Sequence, residues 1–240
     1  MKIKGEGFYL SCKKYGENSF IIYIFSKKNG LIKGFKKLSK KKKLPLTNLD
    51  KINFEWNSRN PDGLGFLKFD ICGIDLNRDS SFFFSLIIAS ASELCLKLLP
   101  LQQSYNEIYT DLEKLVNYNH KNFKNLISKY ISWEINFLKH TGYGLNFSEC
   151  IVTGKKEDVF FISPKSGNSV SYEIGKKYKK KLFEIPLCFK EENSEIEYSD
   201  YLRGLEIIGH FLRKSFEEYK FDLIFRKQLL NKVKFLSIPS

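Results

Sequence analysis

The chain has 240 residues, 42% of them hydrophobic and 28% charged, with 22 Phe, 13 Tyr and 2 Trp, a composition that excludes disordered, collagen-like and low-complexity classes. Lys and Arg number 40 against 27 Asp and Glu, and this net charge of +13 points toward a polyanionic partner. Only five of the basic residues are Arg, and the abundance of Lys, Phe, Ile and Asn is how an AT-rich genome writes proteins, so the uneven distribution matters more than the total: residues 1 to 80 hold 17 basic and 8 acidic side chains.

Residues 1 to about 78 read as short strands at roughly ten-residue spacing, the pattern of a small all-β sandwich or barrel. The strands expected are Gly7 to Lys13, Ser19 to Ser26, Leu31 to Lys36, Lys51 to Trp56 and Leu64 to Cys72. Period-two alternation appears in Phe8, Leu10 and Cys12, in Ile52, Phe54 and Trp56, and in Leu67, Phe69 and Ile71. Turns are marked at Tyr15-Gly16-Glu17-Asn18, Lys28-Asn29-Gly30 and Asn60-Pro61-Asp62-Gly63. A five-stranded barrel closes such a set with few unpaired edges.

From about residue 80 the period becomes helical. The apolar run Phe82 to Leu99 is interrupted by Glu93 and Lys97 and followed by Pro100, which reads as a buried core helix and not a membrane span. Amphipathic helices follow over Tyr105 to Val116 and Phe123 to Leu138, the second stopped by Gly142-Tyr143-Gly144. Residues 146 to 190 lose the pattern and gain glycines and prolines, a turn-rich insert with a short hairpin around Val159 to Ile162. Glu191 to Asp200 reads as an acidic linker, and helical spacing returns over Tyr201 to Phe216 and, weakly, Phe225 to Val233. The expected division is a barrel over 1–78 and a helical domain over 79–240.

The five cysteines Cys12, Cys72, Cys95, Cys150 and Cys188 are too widely spaced for a metal knuckle, and a reducing, cytoplasmic setting fits them. The N-terminal residues lack the apolar stretch of a signal peptide. His120, His140 and His210 stand at no ligand spacing, Thr153-Gly154-Lys155 lacks the upstream glycine of a phosphate loop, and no serine sits in a nucleophile elbow, so no catalytic site is expected. The strongest local signal is Lys33-Gly34-Phe35-Lys36-Lys37-Leu38-Ser39-Lys40-Lys41-Lys42-Lys43, seven lysines in eleven residues directly after a barrel strand. A solvated basic loop is the plain alternative. A barrel scaffold with Phe35 and Trp56 as stacking platforms favours a nucleic-acid site composed of Lys33, Lys36, Lys37, Lys40, Lys41, Lys42 and Lys43 with those two aromatics. Lys is a point charge without the guanidinium fork that reads guanine edges, so such a site grips phosphates without reading sequence.

Several stretches resemble the RecO family of bacterial recombination mediators, in particular its alphaproteobacterial form. They are Tyr15-Gly16-Glu17-Asn18-Ser19, Ile24-Phe25-Ser26 through Gly30, Lys33-Gly34, the strand carrying Trp56, Glu93-Leu94 through Leu98-Leu99-Pro100, and Tyr109 through Leu112. The most specific are Gly142-Tyr143-Gly144-Leu145, Cys150 to Gly154, and Phe161-Ile162-Ser163-Pro164-Lys165-Ser166-Gly167 with Val170-Ser171 and Gly175. The resemblance implies an α+β protein: an N-terminal five-stranded OB-fold β-barrel followed by an α-helical domain with a turn-rich insert. It also implies work without catalytic turnover. RecO-like proteins bind single- and double-stranded DNA, anneal complementary strands, engage the C-terminal tail of single-strand-binding protein and, with RecR, help RecA onto DNA. Many members hold structural zinc with four cysteines in the insert. Here only Cys150 occupies such a place and Thr153 stands where a second ligand would be, so no metal and no cofactor is expected. An RNA-binding OB-fold module, ribosome- or tRNA-associated, is the competing class, and a nuclease or transferase the enzymatic one.

Overall fold

Strands form where the alternation places them, and they close on themselves. In the computed structural model, which describes residues 1–38, 44, 46–60, 63–72, 81–118, 122–190, 195–219 and 221–238, the N-terminal strands are β1 (Lys2–Lys14), β2 (Ser19–Ser26), β3 (Gly30–Lys37), β4 (Lys51–Asn57) and β5 (Gly65–Ile71). They make a closed barrel in the order β1-β2-β3-β5-β4, antiparallel except for the short parallel seam of β3 with β5. That is the OB-fold arrangement. β1 starts five residues earlier than the alternation predicts, because one long strand serves two neighbours: Lys2 to Phe8 pair with β4, and Gly7 to Lys14 pair with β2 around a bulge between Tyr9 and Ser11. Gly7 lets the backbone cross there, since a Cβ would press on Ile24 and the Phe25 carbonyl.

The barrel core gathers Ile3, Ile22, Ile24, Ile32, Ile52, Phe54, Trp56 and Leu67. Trp56, expected as a stacking platform, belongs to this core and is only 1% exposed. Its indole lies under the β3–β5 seam, where a Cβ on Gly65 would overlap the ring and one on Gly34 would crowd it. Its Nε1–H donates to the Lys33 carbonyl at 3.0 Å. An indole enclosed in this way has no face to offer a base, so Trp56 leaves the set of contact residues.

Two helices pack on the barrel. α1 (Phe82–Leu98) is capped by Ser81, which accepts from the Phe84 amide at 3.2 Å, and is buried along most of its length. Its Ser92 hydroxyl donates to the carbonyl of Leu10, in the bulge of β1, at 2.8 Å. α2 (Asn106–Val116) presents Tyr109 to Phe8 and Phe25 at centroid distances of 4.9 and 5.7 Å, and Glu113 receives the Lys51 ammonium at 2.8 Å. Among the described residues no helix is long and apolar enough to cross a membrane.

The chain then builds a second compact unit. α3 (Phe123–Leu138) ends in a wide turn at Lys139–Tyr143, where Gly142 takes φ 91°, the left-handed conformation expected of a helix-stopping glycine. The insert contains β6 (Val159–Ile162), β7 (Ser169–Ser171), the single turn α4 (Tyr172–Gly175) and β8 (Phe183–Glu184), with the strands in the order β7-β6-β8. α5 (Tyr198–Ser215) packs along α3, with Phe123 stacked on Tyr198 and Gly204 letting the helix close on Cys188. Residues 191–194 of the expected acidic linker lie outside the described residues, and its end is helix: Asp200 is buried in the first turn of α5. Its carboxylate accepts from the Leu187 and Cys188 amides at 3.1 and 2.8 Å and from Arg203 at 3.0 Å. The last helix is α6 (Ile224–Leu236).

Internal contacts group Met1–Asn119 with Phe221–Arg226 as one unit and His120–Lys220 with Lys227–Ser240 as the other. The first unit thus takes in α1 and α2 as well as the barrel.

Candidate nucleic-acid interface

On a barrel strand, side chains alternate between core and solvent, and in β3 the residues in phase with Ile32 and Gly34 point inward while Lys33, Phe35 and Lys37 stand on the outer face. Phe35 is half-buried against two aromatics that are largely solvent-exposed. Phe66 of β5, paired to it in register, meets it edge to face at 5.7 Å, and Tyr15 of the β1–β2 turn does the same at 6.0 Å. Phe66 is 69% and Tyr15 60% exposed. A single exposed ring is ordinary, but rings in contact on one face form an apolar patch of the kind that marks a binding surface. The β2–β3 face with the β1–β2 and β4–β5 loops is the surface with which OB barrels take oligonucleotides.

The lysines around this trio make no ion pairs among the described residues. Lys33 and Lys37 on β3 have no carboxylate partner among the described residues, and Lys13 and Lys14 are exposed beside Tyr15. On the β1–β4 side of the barrel three lysines are matched: Lys2 and Lys4 pair with Glu55, and Lys51 sits between Glu6 and Glu113 at 3.3 and 2.8 Å. The Lys4 partnership holds the Glu55 carboxyl below its usual range, and the hydrogen bond to Glu113 raises the Lys51 ammonium despite desolvation.

Of the residues expected from sequence, Lys33, Phe35 and Lys37 come together on this face. Lys36 points the other way, over the Phe69 ring at 4.0 Å, at the end of the core. Lys40, Lys41, Lys42 and Lys43 lie outside the described residues. Their flanks are attached to the barrel: the Leu38 amide donates to the Asn18 carbonyl at 2.7 Å, and Leu44 packs against the core cluster. Sequence reasoning missed Tyr15 and Phe66. The signal for Phe66 was present, since it occupies the polar phase of a strand whose apolar phase is Leu67, Phe69 and Ile71.

The zinc position of the insert holds different chemistry. Cys150 lies in a tight turn, with the Gly154 amide donating to its carbonyl at 2.8 Å, and packs with Phe161 and Val170. Desolvation works to raise its thiol pKa, but hydrogen bonds from Thr153 and Ser171 prevail and bring it down to about 6. One sulfur surrounded by hydroxyl groups does not fit a tetrahedral zinc site, which takes four thiolate or imidazole ligands. The nearby Ser163–Gly167 segment is a turn closed by the Gly167 amide on the Ser163 carbonyl at 2.8 Å. Its Pro164 carbonyl lies 3.1 Å from Nε2 of His210 on α5 and also accepts from Lys214.

These features define a class: an OB barrel with an exposed basic and aromatic face, continued into a helical domain with an inserted small sheet. Comparison with known proteins makes the class particular. Residues 1–73 match the family model of the recombination protein O N terminal and residues 80–221 that of its C terminal. The chain is 32% identical over 226 residues to the DNA repair protein RecO of Wolbachia pipientis wMel, covering 89% of this chain and 92% of that one. It is 32% identical over 221 residues to the RecO of Ehrlichia chaffeensis, covering 90% and 91%, and 30% identical over 220 residues to that of Rickettsia akari, covering 89% and 90%. The chain belongs to the RecO family of DNA repair proteins.

Proposed function

We propose that this protein is a recombination mediator that binds single- and double-stranded DNA without sequence specificity, anneals complementary strands, and helps load RecA onto DNA coated by single-strand-binding protein. The observation that carries the reading is the Tyr15–Phe35–Phe66 trio set among lysines without acidic partners on the ligand face of the barrel. Exposed rings stack on any base, and Lys ammonium groups neutralise any phosphate, so the pair of features supports binding that ignores sequence. Lys40 to Lys43 follow β3 in the sequence and add four positive charges to the same segment of chain.

Annealing on such a surface is charge neutralisation. Lysines lower the repulsion between two strands and hold both at high local concentration, so pairing proceeds without nucleotide hydrolysis. The work is done by binding and not by catalytic turnover. RecR and the C-terminal tail of single-strand-binding protein are the protein partners of this reading, with RecA engaged through them, and the cytoplasm, at the nucleoid, is its setting. The test is annealing of labelled complementary oligonucleotides coated with single-strand-binding protein, without nucleotide. The reading predicts acceleration by the wild-type chain and loss of most of it in Phe35→Ala/Phe66→Ala. Equal rates with and without the protein would refute it.

A further inference from the structure

The insert carries a second basic surface that the barrel face does not account for. Between Ile174 and Leu182 the chain makes a 3-10 turn, Lys176–Lys181, in which five lysines flank Tyr178 and every side chain is exposed. Lys176 reaches Glu173 at 3.7 Å and Lys179 reaches Glu184 at 3.0 Å, whereas Lys177, Lys180 and Lys181 have no carboxylate partner among the described residues. Tyr178 is 57% exposed, and Tyr172, next to Lys179, stands edge to face with the exposed Phe160 at 5.4 Å.

What separates this turn from a solvated charge run is that packing holds it in place. Ile174 and Leu182 both lie against the Cys150, Phe161 and Val170 cluster, and Gly175 is so close to the Phe161 ring that a Cβ would overlap it. A free run of lysines relaxes by spreading apart. Here the fold keeps like charges together with aromatic faces beside them, and that repulsion is relieved when a polyanion arrives. Fixed cations interleaved with exposed rings match the alternation of phosphate and base along a single strand.

We infer that the Lys176–Lys181 turn, with Tyr178 and the adjacent Phe160 and Tyr172, is a second single-strand binding surface, which takes the partner strand while the barrel face holds the first. The inference rests on the DNA-binding reading above and deepens it: annealing needs two strands on one molecule, and the two basic surfaces lie in different compact units of the chain.

The experiment uses the full-length chain and its Lys177→Gln/Lys180→Gln/Lys181→Gln variant. Each is saturated with an immobilised oligonucleotide and offered a second, non-complementary labelled strand over a salt series, and annealing is measured in parallel. The variant is expected to hold the first strand within about twofold. Its log–log salt slope for the second strand should be shallower by about 2, from three lost phosphate contacts at about 0.7 each, and its annealing about tenfold slower. Lys→Arg replacements at the three positions should restore both, since a cation of either kind neutralises phosphate, and Tyr178→Ala should weaken capture without changing the slope. Unchanged capture and annealing in the triple variant would overturn the inference while leaving the DNA-binding reading intact; a wild-type chain that captures no first strand would overturn both. Loss of binding to poly-glutamate with strand capture unchanged would overturn it in favour of an acidic protein partner.

Discussion

Two aromatic residues of the barrel separate what a ring does in water from what it does in a core. Phe66 is exposed and touches Phe35 only edge-on, so Phe66→Ala leaves the fold in place and removes a stacking face. The expected cost is about 1–3 kcal/mol of single-strand affinity, read by fluorescence anisotropy, with an unchanged thermal midpoint. Trp56→Ala should do the reverse. It empties the space beneath Gly34 and Gly65 and orphans the Lys33 carbonyl, at a cost of about 3–5 kcal/mol in chemical denaturation. Tyrosine ionisation gives a further residue-scale check. Burial raises Tyr109, packed between Phe8 and Phe25, and Tyr201, buried in α5, to about 12. The folded state then keeps protons that the unfolded chain releases near pH 10, so stability falls as pH rises from about 10 to about 12. A titration followed at 295 nm should show these two tyrosinates appearing late, together with unfolding; their appearance with the exposed tyrosines would contradict the packing.

At the scale of elements, how a helix end is satisfied decides what it tolerates. Glu93, buried in α1, accepts from the amides of Ile224, Phe225 and Arg226 at 2.8, 3.0 and 3.2 Å, the first turn of α6, whose N–H groups have no partners within the helix. Burial raises its carboxyl above the usual range against the pull of those three donors. Glu93→Ala leaves the buried Arg226 amide and two part-buried amides unpaired and is expected to cost about 1–3 kcal/mol and to accelerate hydrogen exchange at residues 224–226. Much of this architecture was readable beforehand. Period-two alternation in three segments, with the turn residues and the roughly ten-residue spacing between them, located the five barrel strands, and helical spacing with a glycine stop located α3 and its end at Gly142. The same alternation placed Trp56 in phase with Ile52 and Phe54, on the core side, and it is the burial pattern that shows this phase outweighing the appeal of a tryptophan beside a lysine run. Tyr15 and Phe66 were not legible as a pair, because the parallel β3–β5 seam that brings Phe66 to Phe35 joins strands with no pattern linking them in sequence. The start of β1 was missed for a related reason: Gly5 and Gly7 interrupt the alternation where the strand changes partners.

For the whole molecule, with its net charge of +13, what matters is which of the described lysines are tied up in ion pairs and which are not. Lysines on the β1–β4 side of the barrel are spent on Glu6, Glu55 and Glu113, those around Tyr15, Phe35 and Phe66 are not, and the insert repeats the arrangement at Lys176–Lys181. Charge alone drew attention to the first 80 residues, but it did not say which lysines were free; that required the ion pairs. The measurement that tests the account most directly is the salt dependence of single-strand binding by the wild-type chain and by Lys33→Gln/Lys37→Gln. If the barrel face and its lysine run neutralise about six phosphates, the wild-type slope of log affinity against log salt is about −4, and the double variant is shallower by about 1.4. A wild-type slope near zero, or a variant with the wild-type slope, would contradict the placement of the DNA contact on this face.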